Sequence, residues 1–100
     1  MYKQVKMWNF SSSDSGKSRC KIAQEVKAKF DILAKTIHVV SNLEAGVNIN
    51  LSSDYYSLVL IIEFDNYEDM VIFHEHLEYR KIEEFMAPFI IDSKIVEYEI

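Results

Sequence analysis

The sequence predicts an α+β domain in which a four-stranded antiparallel sheet carries helices on one face, with its elements in the order strand, helix, strand, strand, helix, strand. Three observations lead there. An imperfectly alternating segment opens the chain, an apolar stripe at helical spacing follows, and a stretch that is apolar on both faces runs into a capped helix.

Tyr2 to Phe10 reads as the first strand, with Gln4, Lys6 and Trp8 on one side and Val5 and Met7 on the other. Ser11 to Gly16 reads as a loop from its hydroxyls and glycine. From about Ser18 to Ile37 a helix is expected, because Ile22, Val26, Phe30, Leu33 and Ile37 are spaced 4, 4, 3 and 4 apart and make one core-facing stripe. Lys21, Lys27, Lys29 and Lys35 fall off that stripe and stay solvated. Val39 to Val47 reads as the second strand and Asn48 to Asp54 as a polar connection. The third strand, Tyr56 to Phe64, does not alternate, so both of its faces are expected to be covered. Asn66 is a good N-cap, with Asp69 placed as in a capping box, and it starts a helix that carries Met70, Phe73 and Leu77 inward. A further helical stretch carries Ile82, Phe85 and Met86 until Pro88 stops it. Ile95 to Ile100 closes the chain as the last strand.

This order is the ferredoxin-like βαββαβ arrangement. Helices can cover only one side of such a sheet. The apolar residues on the other side of strand three, joined by Val96, Tyr98 and Ile100 or by their alternates, would leave a patch larger than soluble monomers usually tolerate. Pairing two sheets face to face removes it, so a homodimer through sheet faces is expected.

Composition sets further bounds. One hundred residues make one domain, 1–100, which at this size buries roughly 60 to 70% of the surface its unfolded chain exposes. The single Cys20 has no internal disulfide partner and the opening residues lack a secretory apolar core, so a cytoplasmic protein is expected. The aliphatic run Leu58 to Ile62 is far below the ~20 residues of a membrane helix. A net charge of −5 argues against a nucleic-acid partner. Residues 1–50 hold eight Lys and Arg against four Asp and Glu, whereas residues 51–100 hold three against twelve. A basic first helix beside an acidic second helical region would screen each other.

Gly46 with Asn48, Glu63-Phe64, His76 with Pro88 twelve residues on, and Glu97-Tyr98 in the last strand occur together in one order. In that joint spacing the chain resembles the stress-responsive A/B barrel (Dabb) family over its whole length. The resemblance implies a dimeric α/β barrel with a pocket between helices and sheet. The departures fall on chemistry: Gln4 stands at the family's first-strand His, Leu77 at the Pro after His76, and Tyr79 at the second His. In the family's plant polyketide cyclase the second His is the general base and a Tyr three residues before the first His is its partner. Those positions are Tyr79 and Phe73 here. A phenol with a pKa near ~10 is a poor base at neutral pH, and Phe exchanges no proton, so the cyclase mechanism does not transfer.

Gly16-Lys17-Ser18 sits between a strand and a helix, as a phosphate-binding loop does, but Ser11 replaces the first glycine of that pattern and the antiparallel order conflicts with it. His74 and Glu78 are spaced to share a helix face, yet two ligands without a third make a solvated face the better reading, and no metal is expected. His76 is expected beside the family's cavity. Lys6 shares a strand face with Gln4 and Trp8, and a buried Lys requires a partner such as Glu63 or Glu97, or a wet pocket. Phe30, Phe73, Tyr79 and Phe85 recur at helical spacing as core and pocket lining. The candidate pocket is therefore Gln4, Lys6, Trp8, Phe30, Phe73, His76, Tyr79 and Phe85, and no cofactor is expected. Three functions compete: a dimer that binds a small apolar or aromatic molecule or serves a structural or stress role; a cofactor-free cyclase-like or monooxygenase-like enzyme using His76 and Tyr79; and a protein whose dimers assemble further.

Overall fold

The computed structural model describes residues 1–12, 16, 18–50 and 55–100. Its elements are β1 (Tyr2–Phe10), α1 (Arg19–Thr36), β2 (Val40–Val47), β3 (Leu58–Phe64), α2 (Tyr67–Glu75), α3 (Leu77–Met86), a 3-10 turn (Ala87–Phe89) and β4 (Ile90–Glu99). All neighbouring strands pair antiparallel in the order β2-β3-β1-β4, which is the ferredoxin-like sheet. Much of the loop expected at Ser11–Gly16, Lys17 of the Gly16-Lys17-Ser18 sequence, and 51–54 of the polar connection lie outside the described residues.

Local chemistry explains the boundaries. Ser18 Oγ accepts from the Lys21 amide at 3.1 Å and Asn66 Oδ1 from the Asp69 amide at 2.9 Å, each satisfying a free N–H of a first helical turn. The stripe Ile22, Val26, Phe30, Leu33 and Ile37 is buried throughout. It packs with Phe10 and with Leu58, Leu60, Ile62 and Phe64 of β3 in one core.

The structure departs from the sequence reading in two places. The second helical region is two helices, broken at His76. That residue has extended φ and ψ of −67° and 134°, closes α2 through its backbone N–H to the Phe73 carbonyl, and opens α3 by accepting the Glu78 amide on Nδ1 at 3.1 Å. The inward stripe of α2 therefore does not continue through the break, and Leu77 is 63% exposed. The last strand begins at Ile90 rather than Ile95, because Asp92, Ser93 and Lys94 pair with Asn9, Trp8 and Met7 of β1. Within the protomer one face of β3 is covered, which leaves the open sheet face expected from the sequence: Leu58, Leu60, Ile62 and Phe64 are buried, whereas Val59, Ile61 and Glu63 are half-buried on the face without helices.

That bare face is continuous across the sheet. Val5 pairs with Ile61 on one side and Val96 on the other, and Lys3 with Glu63 and Tyr98. Val96 is 58% and Tyr98 41% exposed. Among the described residues, no helix is long and apolar enough to cross a membrane.

Candidate functional site

The two-residue period of β1 sends Gln4, Lys6 and Trp8 to the face under the helices. Behind them stands a wall of rings. Trp8 stacks on Phe30 at 5.8 Å between centroids, Phe30 lies 6.4 Å from Tyr79, and Phe73 touches both Tyr79 at 4.6 Å and Phe64 at 5.4 Å. All five rings are buried. They fill the space between sheet and helices rather than line an empty one.

Against this apolar wall the chain places a set of polar groups in two connected series. Tyr2 donates from its hydroxyl to Glu97 Oε2 at 3.1 Å, Gln4 Nε2 donates to Glu97 Oε1 at 2.6 Å, and Gln4 Oε1 faces His74 Nε2 at 2.9 Å. Lys6 Nζ donates to the Tyr79 hydroxyl at 2.5 Å, with the Glu83 carboxylate acting on that phenol. The His74 and Tyr79 rings meet edge to face at 5.0 Å and join the two series.

Burial sets the protonation of this set. It depresses the His74 imidazole to about 4, helped by the nearby Lys6 and opposed by Glu97, so His74 is neutral at pH 7. Burial also pushes the Lys6 ammonium below its ordinary range, against the attraction of Glu83 and Glu97, and pushes the Tyr79 phenol far up, with Glu83 adding to the rise. Each shift disfavours the charged form. At neutral pH the imidazole and the phenol are neutral, and Lys6 Nζ is a hydrogen-bond donor beside them, a set suited to hydrogen bonding with a partly polar guest. Among the described residues, no three His, Cys, Asp or Glu side chains converge to hold a metal.

The site opens toward β4. Glu97 pairs with Gln4 and Ile95 with Lys6, so both lie on the helix side of the sheet, yet β4 is exposed along nearly its whole length and Ile95 is 53% exposed. Ile95 and Glu97 of β4 therefore lie exposed beside the half-buried Lys6 and His74, a shallow trough along this edge, with Gln4 and Tyr79 buried beneath.

Six of the eight sequence-derived candidates, Gln4, Lys6, Trp8, Phe30, Phe73 and Tyr79, come together here. His76 does not; its imidazole is spent on the helix junction. Phe85 packs instead on Phe89 at 5.9 Å and under Lys29 Nζ at 4.6 Å, on the far side of α3. Lys6 takes neither Glu63 nor Glu97 as its hydrogen-bond partner, because Glu63 lies on the opposite face and pairs with Lys3 at 3.1 Å. His74, expected on a solvated face, turns in to Gln4. One signal for it was present: His74 lies four residues after Met70 and one after Phe73, on the inward stripe of α2. His74 and Tyr79 would stand about 140° apart around a continuous helix, and the break at His76 is what lets them meet. A separate groove of about 210 Å³ lies between α1 and α3, lined by Lys29, Ile32, Leu33 and others, and includes none of the clustered residues.

The fold is that of a ferredoxin-like protomer of the α/β-barrel class, with a polar cluster between sheet and helices. Residues 3–100 match the Stress Responsive A/B Barrel Domain family, and the chain belongs to it. A dimeric protein of unknown function and ferredoxin-like fold from Bacteroides fragilis is similar, with a TM-score of 0.85 at 22% identity over 99% of this chain and 95% of that one. An antibiotic biosynthesis monooxygenase follows the same fold with a TM-score of 0.78 at 10% identity, covering 100% and 98% of the two chains. A hydroxynitrile lyase from Passiflora edulis does so with a TM-score of 0.76 at 12% identity, covering 99% and 92%. No curated protein matches the chain significantly.

Proposed function

We propose that the protein is a homodimer, joined through its bare sheet faces, that binds a small apolar or aromatic molecule in the trough beside Lys6, His74 and Tyr79. The observation that carries the reading is the hydrogen-bonding set of Gln4, Lys6, His74 and Tyr79 mounted on buried rings at an edge no helix roofs. Polar groups this close to a core cost several kcal/mol unless they are satisfied, and here the half-buried Lys6 and His74 keep hydrogen-bonding capacity beyond the bonds they make. The apolar patch around Val5, Ile61 and Val96 supports the dimer, as does the dimeric state of the B. fragilis protein. Isothermal calorimetry with simple aryl ketones and phenols tests the binding. Micromolar to low millimolar affinity, weakened about tenfold or more by Lys6→Met, is expected. No heat from any of them, or affinity untouched by Lys6→Met, removes the proposal.

A second reading, cofactor-free catalysis, is favoured by the neutral His74 beside the Tyr79 phenol, since a free imidazole lone pair can take a proton from a bound carbon or oxygen acid. In that reading His74, rather than His76, acts as the acid-base group. Turnover of an aryl polyketide thioester that falls ~10²-fold or more in His74→Gln but persists in His76→Gln supports it; a rate that instead depends on His76 overturns it.

A further inference from the structure

Gln4 is the middle of a hydrogen-bonded chain whose donor and acceptor roles follow from its ends. An ionised carboxylate only accepts, so the Gln4 group 2.6 Å from Glu97 Oε1 is the amide NH₂, and its other hydrogen has Met70 Sδ as an acceptor at 3.6 Å. The amide oxygen is thereby turned to His74 Nε2 at 2.9 Å. A neutral imidazole has one N–H, and an acceptor facing Nε2 places it there. Nδ1 is left with the lone pair. It meets no hydrogen-bond partner, and no buried side-chain nitrogen or oxygen is left unsatisfied among the described residues, so Nδ1 reaches solvent.

We propose that Gln4 is a positioning residue that holds His74 as its Nε2–H tautomer, so that the trough presents Nδ1 as an acceptor and selects ligands carrying a hydroxyl donor, a phenol or an enol. This rests on the trough being a ligand site and adds the polarity of its guest: a donor for His74 Nδ1 together with an oxygen acceptor within reach of Lys6 Nζ. Gln4 is suited to the task because it is 1% exposed, so water cannot take its place, and because both ends of its amide are committed. Glu97 makes the orientation unambiguous. Were it a group able to donate as well as accept, the amide could turn over and the tautomer with it.

The test has two arms. In protein labelled with ¹⁵N-histidine, long-range ¹H–¹⁵N spectra at pH 7 should give a protonated Nε2 and an unprotonated Nδ1 for His74, and both Gln4→Leu and Glu97→Gln should convert this to a mixture of tautomers. Glu97→Gln lies on the exposed β4 and keeps the side-chain volume, so it reports even where Gln4→Leu fails to fold. In the second arm, 4-hydroxyacetophenone should bind the native protein about tenfold more tightly than 4-methoxyacetophenone, the worth of one hydrogen bond, and the preference should fall toward one in both variants. A protonated Nδ1 in the native protein, or an unchanged tautomer in both variants, overturns the role of Gln4. Equal affinity for the two ketones overturns the donor preference. Binding of neither overturns the ligand reading itself, while the nitrogen spectra still decide what Gln4 does.

Discussion

Two lysines stand three residues apart on β1 and face opposite ways. Lys3 lies on the bare face, is held by Glu63 at 3.1 Å, and has its ammonium pushed up by that hydrogen bond. Lys6 lies on the helix face, donates to a phenol rather than a carboxylate, and has its ammonium pushed down by burial. One strand thus gives the same side chain two opposite electrostatic fates. The lysine with a carboxylate directly beside it has its charge matched on its own face. The lysine that gave up water without gaining a directly paired carboxylate is held at a cost to folding.

The contrast breaks or sharpens on four measurements, from the largest effect to the smallest. Phe73→Ala removes a fully buried ring from the helix face and should cost about 3–5 kcal/mol in urea unfolding, without a specific effect on the partner-binding face. Val5→Glu places a charge at the centre of the bare face and should do the converse: light scattering should return a mass near the 11.7 kDa of one chain, with circular dichroism retaining the native fold. A Val5→Glu protein that stayed dimeric would move the interface elsewhere. Lys6→Met should raise stability by up to about 1 kcal/mol, since an apolar side chain of similar length avoids the desolvation cost, while Lys3→Met should lower it slightly, so the two lysines differ in sign. If both variants lose stability, Lys6 is structural and the comparison fails.

The fourth measurement is pH dependence. His74 has a folded value of about 4 against an ordinary 6.5, so between those limits the unfolded chain binds the extra proton. Stability should therefore be fully present above pH 6.5, fall as pH drops from there toward 4, and level off below that for this group. His74→Gln should flatten that slope. An unchanged slope would place His74 in water.

The legible parts of the fold are those where one local rule acts alone. The 4-4-3-4 stripe of α1, the Asn66 cap and the opposite facing of Gln4 and Val5 follow from periodicity and capping, and the structure keeps all of them. The break at His76 is invisible because neither Gly nor Pro marks it; an imidazole does the capping usually left to Ser, Thr, Asp or Asn. Since that break turns His74 and Tyr79 toward each other, the polar half of the site was hidden while its aromatic half was readable. The early start of β4 was hidden for a different reason. Asp92, Ser93 and Lys94 are poor strand formers, and only the ladder with β1, far away in sequence, holds them extended.

The strand order also sets a timetable. β1 lies between β3 and β4, and Tyr2 pairs with Glu99, so one side of the ladder on β1 joins residues eighty or more positions apart. Such long-range pairing is slow, because loop closure must precede any gain from contact. Every other strand and all three helices precede β4 in the chain, so without β4 Gln4 has no carboxylate to orient its amide. Glu97 belongs to that last strand. The orientation of the Gln4 amide thus depends on the strand that closes the sheet last in sequence order.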